Sequence, residues 1–247
     1  MMKKQHIGHL FLEGSTYESM PQTDQEKGMT QPPLEMPYQG VPLTLPKIET
    51  LTFPSLTLKE AIINRQSHRL YRSDSLSLEE LSYVLYMTQG VKRTRENLAT
   101  FRTVPSAGAR HPFETYLAIQ SVSGLSPGLY RYLALSHELI QINASNQFTE
   151  GLYQACLKQK MVKDAPVTFI WVADSYRTTF RYGMRGYRYL FLDAGHVCQN
   201  LYLVAEQLSM GTCAIAAFDD QAINQLMELD GQERFVIYLA PFGKIKK

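Results

Sequence analysis

The amino-acid sequence predicts an α+β fold. Segments with helical and strand periodicity follow one another in irregular order, without the strand–helix alternation that is typical of a parallel sheet. One long helical segment, residues 187–209, lies between short runs rich in β-branched and aromatic residues. With 247 residues, of which 45% are hydrophobic, the chain can bury a sizeable core without disulfides or metals.

The composition excludes several classes of protein. The 25 basic and 23 acidic residues give a net charge of +2, so bulk charge does not indicate a strongly basic nucleic-acid binder. Cys156, Cys198 and Cys213 are far apart and odd in number, so we expect reduced core residues and a cytoplasmic location. The sequence contains no uncharged apolar run of about 18 residues, and we expect neither a signal peptide nor a membrane segment.

Proline is concentrated near the beginning of the chain. Seven of the 12 prolines lie at or before Pro54, and proline removes backbone donors and disfavours helix in the residue before it. We therefore predict an extended, Pro-rich arm over residues 1–55 and a folded domain over residues 56–247. The arm either wraps around a partner subunit or is partly disordered.

Three helices are predicted after the arm. Apolar residues at positions 58, 62 and 63 indicate a short helix that ends near Arg65. Ser77 and Glu80 have the spacing of a capping box, which begins a helix that ends at Gly90. In the long helix, apolar residues recur at steps of three and four, and Gly211 follows as a stop signal. That apolar stripe comprises Leu190, Ala194, Val197, Leu201, Val204 and Leu208. Leu192, Tyr202 and Leu203 lie on its other faces, so we expect this helix to be buried on most sides.

Six runs predict strands, because they combine β-forming residues with flanking turn residues or with a continuous apolar pattern. They are residues 115–120, 129–132, 138–142, 167–172, 214–217 and 235–240.

Two loops have compositions that suit a bound ligand. Residues 64–72 concentrate Arg, Ser and His, which are donors that can hold a phosphate, although a solvated basic loop has the same composition. Residues 104–113 combine small residues with two prolines, so the backbone could approach a flat ligand closely. A rigid turn before the next strand would explain the second pattern equally well.

A third pattern interleaves arginine with aromatic residues. Arg177, Arg181, Arg185 and Arg188 follow at steps of four, four and three, and would share one face of a continuous helix. Such a stripe suits a phosphate, a substrate carboxylate or a nucleic-acid backbone, while a solvated face that pairs with distant acids is the alternative. Glycines at positions 183 and 186 weaken the case for an unbroken helix.

Several catalytic motifs are absent from the sequence. It contains no GxGxxG, GxxxxGK[ST], GxSxG or HExxH pattern. The HxxH formed by His6 and His9 and the HxxE formed by His111 and Glu114 have no further ligands nearby, so no metal is expected. His196 is expected to be a packed core histidine.

Five motifs in order resemble the FMN-dependent nitroreductase family, and within it the SagB-type dehydrogenase branch. They are RQSHRLY (65–71), VPSAGARHPFETYLAI (104–119), GLYRY (128–132), FRYGMRGYRYLFLDAGHVCQNLYLVAEQLSMGTCAIAAFDD (180–220) and PFGK (241–244). The resemblance covers residues 56–244, and IGHLFLEGS (7–15) in the arm is also similar to that branch.

The resemblance implies a nitroreductase-like FMN-binding domain over residues 56–247, with a central, mostly antiparallel sheet flanked by helices. It also implies a homodimer, in which the long helix forms the interface and two FMN molecules are bound. The implied phosphate-binding residues are Arg65, Gln66 and Ser67, with Lys244 as a weaker candidate. Those implied beside the flavin ring are Pro105, Ser106, Ala107, Gly108, Ala216 and Ala217. Many relatives have asparagine where this chain has Ala109.

The same resemblance implies a candidate reaction. The SagB-type branch is associated with oxidising thiazolines and oxazolines in peptides, using a Leu-Lys-Tyr element as the source of the base. This chain has Phe180-Arg181-Tyr182 instead, and arginine is a poor base because it stays protonated. Tyr182 could still transfer a proton, and Arg181 could hold an anionic substrate or stabilise reduced flavin.

The leading hypothesis is therefore an FMN-dependent dehydrogenase that acts on a peptide azoline or a related small molecule. The first alternative is an NAD(P)H-dependent nitro- or quinone reductase. The second is a non-catalytic module that binds nucleic acid or peptide through the arginine–aromatic stripe; it leaves the loops at 65–67 and 105–108 unexplained. The leading hypothesis involves neither nucleic acid nor a membrane.

Overall fold

A seven-stranded sheet forms the centre of the protein in the computed structural model, which describes residues 6–96, 98–145 and 147–246. The strands are β1 (Leu43–Thr44), β2 (Val91–Arg95), β3 (Ala99–Arg102), β4 (Phe113–Ile119), β5 (Gly128–Leu133), β6 (Glu138–Asn143), β7 (Val167–Asp174), β8 (Met210–Thr212) and β9 (Arg234–Lys244). The helices are α1 (Ile7–Gly14), α2 (Leu58–Asn64), α3 (Leu78–Gln89), α4 (Phe148–Ala155), α5 (Met161–Asp164), α6 (Tyr176–Tyr182), α7 (Gly186–Gln207) and α8 (Asp220–Leu226).

The strand order in the sheet is β1-β6-β5-β4-β7-β9-β8, and every neighbouring pair is antiparallel. β7 is central, and all eight of its residues are buried. Because side chains alternate along a strand, Phe169 and Trp171 enter one core while Ile170 and Val172 enter another. Burial on both faces explains why this strand is a continuous apolar run in the sequence.

Helices cover both faces of this sheet. α3 and α7 contribute buried residues to one core, and α4, α5 and α8 contribute to the other. β2 and β3 pair separately as a two-stranded hairpin. The α+β class and the mostly antiparallel sheet are confirmed. Within the described part of the chain, no helix is long and apolar enough to cross a bilayer.

The predicted helix starts agree well with the structure. Ser77 and Glu80 form the expected capping box, and Thr57 and Glu60 form a second one at the start of α2. The predicted strand at 214–217 is wrong, because only Ile215 bridges to β9 and the edge strand is β8. Ala216 and Ala217 are exposed, so these apolar residues lie at the surface and do not pair in the sheet.

The long helix α7 is less buried in a single chain than its sequence predicts. The apolar stripe from Leu190 to Val204 enters the core, but Phe191 and Leu192 are 61% and 60% exposed. His196 is also exposed, with 52% of its side-chain surface accessible, so its expected place in the core is wrong. These residues belong to a face of α7 that nothing in the described chain covers.

The N-terminal arm lies against the domain. Met36 donates its backbone N–H to the buried Glu114 carboxylate at 2.8 Å, and Arg131 donates to the Met36 carbonyl at 2.9 Å. β1 adds an edge strand to the sheet beside β6. Residues 7–14 are helical, where the sequence indicates extended chain, because the first proline is at position 21. Residues 1–5 of the predicted arm lie outside the described residues.

Candidate active site

The loop after α2 is attached to α7 through one tyrosine. The Arg65 guanidinium lies over the ring of Tyr202 at 5.3 Å from its centroid, and the Ser67 and Tyr202 hydroxyl oxygens are 2.9 Å apart. Arg65 is half-buried, Gln66 is exposed, and the described residues contain no acid paired with Arg65. A cationic side chain and a hydroxyl therefore lie together with unused donor capacity, as phosphate binding requires.

Tyr202 also holds the segment after β8. Its hydroxyl oxygen accepts the Ala214 backbone N–H at 2.9 Å. Ala216 and Ala217 then turn towards solvent, with the Ala217 carbonyl accepting from the Gln159 side-chain amide at 2.8 Å. Ala216 borders a cavity of about 420 Å³ that Phe191 and Tyr238 also line. Tyr202 thus connects the 65–67 loop to Ala214, which is two residues before the predicted 216–217 segment.

The loop at 105–108, called the Pro-Ser loop below, is fixed by a residue that the sequence analysis missed. Asp193 on α7 accepts from the Ser106 hydroxyl at 2.6 Å and from the Ala107 backbone N–H at 3.2 Å. The Ser106 oxygen in turn accepts the His111 backbone N–H at 2.9 Å. Burial raises the pKa of Asp193, and the two hydrogen bonds from the loop oppose that rise. The Ser106 hydroxyl therefore holds the loop in place.

The two candidate catalytic residues lie against this loop. Gly108 has a φ of +57°, and a Cβ atom there would be 2.5 Å from the Tyr182 hydroxyl oxygen and 3.2 Å from Arg181 Cδ. Tyr182 also makes an edge contact with Tyr189, with ring centroids 4.8 Å apart. Arg181 is exposed at the end of α6. Glycine at position 108 is what allows Tyr182 to approach the loop so closely.

The two groups of site residues lie on opposite sides of α7. Tyr202 and Asp193 are nine positions apart in this helix. At 3.6 residues per turn this places them about half a turn apart around the axis, and about 13 Å apart along it. The exposed residues Phe191, Leu192 and His196 lie on the helix face between them. One chain therefore carries two half-sites, on the two borders of an uncovered helix face.

Lys244, the weaker phosphate candidate, is engaged elsewhere. Its ammonium group donates to the Ser75 carbonyl at 3.2 Å and lies 3.5 Å from a Glu80 carboxylate oxygen. Its contact with a phosphate stays a prediction.

The arginine stripe does not form one face. α6 ends at Tyr182, the next residue Gly183 has a φ of +51°, and a 3₁₀ turn separates α6 from α7. Arg177 is buried and forms an ion pair with Glu114. Arg185 and Arg188 donate to the arm, at the Ser15 carbonyl and hydroxyl respectively. Of the four arginines, only Arg181 is exposed beside the candidate site.

A family model and individual related proteins were compared with this sequence, and the matches agree with one another. Residues 62–244 match the model of the nitroreductase family. A Methanocaldococcus jannaschii protein, named as a candidate nitroreductase, is 37% identical over 202 residues, which are 82% of this chain and 96% of that protein. The microcin B17-processing protein McbC of Escherichia coli is 26% identical over 150 residues, 58% of this chain and 54% of McbC.

Among solved structures, a crystal structure of a candidate nitroreductase from Ralstonia eutropha JMP134 has the same fold. Its TM-score is 0.69 at 21% identity, and the match covers 89% of this chain and all of that chain. The expected nitroreductase-like fold is therefore confirmed. The resemblance to the peptide-processing branch is supported by McbC, of which this chain matches about half.

Proposed function

Because this chain belongs to the nitroreductase family, an oxidoreductase group, we propose that it is an FMN-dependent dehydrogenase. The observation that carries the proposal is the pair of half-sites on opposite borders of the exposed face of α7. One half-site offers phosphate-binding donors, and the other offers a close-packed loop beside a tyrosine. When bound, FMN would supply the hydride chemistry, so the protein needs to bind, orient and tune it.

The residues present fit this cofactor. The Arg65 guanidinium and the Ser67 hydroxyl suit the phosphate, since neither is occupied by an acid among the described residues. The exposed backbone at Ala216 and Ala217 can face the edge of a planar ring. Ala107 and Gly108 have no bulky side chain, so the loop can lie flat against such a ring.

A complete site requires two copies of the chain in this proposal. Because the half-sites lie on opposite sides of α7, with the body of the helix between them, we infer that one flavin does not contact both in the same chain. A second copy related by a two-fold axis, packed on the exposed face of α7, would place its Pro-Ser loop near the first copy's Arg65. The exposed Phe191 and Leu192 would then be buried, which favours association.

Tyr182 is the residue we assign to proton transfer. Oxidation of an azoline to an azole removes a hydride, for which bound FMN would be the acceptor, and a proton, which the protein must take up. The Tyr182 hydroxyl lies beside the Pro-Ser loop and can pass that proton to solvent. Arg181 stays protonated and cannot serve as the base, so we assign it to an anionic group.

The likeness to McbC supports a peptide azoline as substrate, and the M. jannaschii relative supports the second candidate, an NAD(P)H-dependent nitro- or quinone reductase. Both candidates require the same flavin site. Anaerobic mixing of the oxidised protein with a thiazoline peptide, or with NADPH, distinguishes them by which compound bleaches the flavin absorption. Steady turnover of NADPH with a nitroaromatic compound would favour the second candidate.

The cofactor assignment is tested by Arg65→Ala. We expect its Kd for FMN to rise about 10- to 100-fold, because a charge-assisted hydrogen bond contributes about 1.5–3 kcal/mol. Flavin released by heat from the wild-type protein and identified by chromatography should be FMN. Arg72→Ala is the matched control, since Arg72 is an exposed arginine of the same loop that pairs with Asp74 at 2.7 Å. Unchanged FMN affinity in Arg65→Ala would remove Arg65 from the site.

A further inference from the structure

A second cavity lies between the N-terminal arm and α6. Its volume is about 710 Å³, which is within the range that small-molecule ligands occupy. Arg181 and Tyr182 form one wall. The arm forms the other, with Tyr17, Met20, Pro21, Gln22, Thr23, Gln25 and Glu26. Since Tyr182 contacts the Pro-Ser loop at Gly108, this cavity is adjacent to the candidate active site.

The arm wall is fixed to the domain by specific hydrogen bonds. The Gln25 backbone N–H donates to the Phe180 carbonyl at 3.0 Å, and the Tyr176 hydroxyl donates to Asp24 at 3.1 Å. At its other end, the Arg185 guanidinium donates to the Ser15 carbonyl at 2.9 Å. These contacts hold residues 15–25 in one position, so the cavity is a formed feature of the fold.

The charges around this cavity favour an anion. Arg181 makes no hydrogen bond or ion pair with any residue that the structure describes, and its only ring contact is with its neighbour Tyr182. Glu26 is the one acid that lines the cavity, and its carboxylate already accepts from Thr23 N–H and hydroxyl at 2.7 and 2.9 Å. The charge of Arg181 is therefore not neutralised within the described chain.

We propose that this cavity binds the substrate, and that the substrate is a monocarboxylate carried on a flat, unsaturated body. Arg181 binds the carboxylate, and the rings of Tyr17 and Tyr182 flank the apolar body. This proposal rests on the proposed function for the reaction that follows, but the binding step itself does not depend on the flavin. It makes the arm a part of the active site.

A carboxylate fits this cavity better than a phosphate ester. A single unpaired guanidinium matches one carboxylate with two parallel hydrogen bonds. A phosphate dianion would require more donors, and the Glu26 carboxylate on the opposite wall would repel its second charge more strongly. Three small probes, benzoate, benzamide and phenyl phosphate, separate these cases.

The test is isothermal titration of the full-length protein with each probe. We expect benzoate to bind about 10-fold more tightly than the equally shaped but neutral benzamide, and more tightly than phenyl phosphate. Arg181→Gln should abolish the preference for benzoate. Glu26→Gln, which removes the acid but keeps an acceptor for Thr23, should strengthen benzoate binding several-fold. Lys158→Gln, the same charge change at an exposed residue that does not line the cavity, should change nothing.

Equal affinity for benzoate and benzamide, no binding of either, or a preference that survives Arg181→Gln would each overturn the proposal. Tighter binding of phenyl phosphate would overturn the carboxylate assignment. Calorimetry measures binding without turnover, so the result is separable from the proposed function. A protein that lacks FMN but prefers benzoate contradicts the proposed function alone, whereas one that binds FMN without this preference contradicts only the substrate cavity.

Discussion

Two residues of α7 organise the candidate site without being implied as ligands themselves. Tyr202 accepts a hydrogen bond from the Ala214 backbone and contacts Arg65 and Ser67, while Asp193 accepts two hydrogen bonds from the Pro-Ser loop. A buried carboxylate is costly unless it is hydrogen-bonded, so the loop and Asp193 stabilise each other. The positions of the predicted flavin-contacting residues therefore depend on these two side chains.

At the residue scale, the sequence named candidate ligands but not the side chains that hold them in place. The resemblance named Arg65 and Ser67, and the structure places them together on Tyr202. Neither Tyr202 nor Asp193 was singled out, because helical periodicity shows which residues are apolar and not which loop each polar residue will meet. His196 was expected in the core, but it lies on a face of α7 that no other part of the described chain covers.

His111 should make stability depend on pH. It is buried beside Arg102, and burial together with that charge lowers the pKa of its imidazole to about 3 from the ordinary value of 6.5. Between those pH values the unfolded state binds more protons, so the folded state loses stability as pH falls. From about pH 7 to about pH 4.5, this loss should reach about 2–3 kcal/mol.

Urea unfolding of the wild-type protein and His111→Asn at both pH values checks this prediction. Asparagine suits the left-handed backbone of this residue, whose φ is 44°. Other groups titrate in both proteins, so the informative quantity is the difference in unfolding free energy between them. That difference should shift in favour of the variant at low pH, and a difference that is constant with pH would contradict the assignment.

At the scale of elements, the contact between α6 and the Pro-Ser loop positions Tyr182, the residue that we propose for proton transfer. α6 ends at Tyr182, and Gly183 then redirects the chain, so that Tyr182 is presented to Gly108. The break at Gly183 also separates Arg177 and Arg181, which lie on α6, from Arg185 and Arg188, which donate to the arm. An unbroken helix through this segment would have left the arginines in a single stripe, which is the arrangement that nucleic-acid binding would require.

Gly108→Ala should lower stability by about 1–3 kcal/mol, because the new methyl group combines a left-handed backbone with a clash against the Tyr182 hydroxyl. In a Tyr182→Phe background the nearest remaining ring atom is 3.2 Å away, so we expect the penalty to fall to about 1 kcal/mol. Urea unfolding of the four proteins in this double-mutant cycle measures the coupling. Additive effects of the two substitutions would mean that the two residues do not touch.

The sequence located helices and strands correctly where a local pattern, such as a capping box or a continuous apolar run, is strong. Capping boxes located α3, and the apolar run located β7. Residues 214–217 have the same apolar pattern as a strand, but only Ile215 bridges to β9, and Ala216 borders a cavity instead. α1 and the β2–β3 hairpin were missed because they leave no clear hydrophobic period. α1 and β2 have no buried residues, and two of the three buried residues of β3, Thr100 and Arg102, are polar or charged.

At the scale of the whole molecule, our proposal makes one chain an incomplete site. The exposed face of α7 separates the two half-sites, and Phe191 and Leu192 leave it apolar. Isologous packing of two copies would cover this face and join opposite half-sites in two equivalent places. The arm, which the sequence could only describe as extended, adds the substrate-facing wall in our proposal, through contacts between residues far apart in the chain.

A subunit-mixing experiment tests this account most directly. Arg65→Ala damages the phosphate half-site, and Ala107→Trp blocks the half-site at the Pro-Ser loop, so each homodimer should bind little FMN. If each flavin lies between two copies, a mixed dimer contains one intact site and one site with both defects. Equal mixing with subunit exchange should then restore FMN to about one quarter of all sites, since half of the dimers are mixed.

FMN bound per chain, measured by absorption after the mixture is desalted, is the deciding quantity. Recovery near one quarter, with little FMN in either variant alone, is the result we predict. If mixing restores no FMN although subunits exchange, then every site is built within one chain, and the composite flavin site is contradicted.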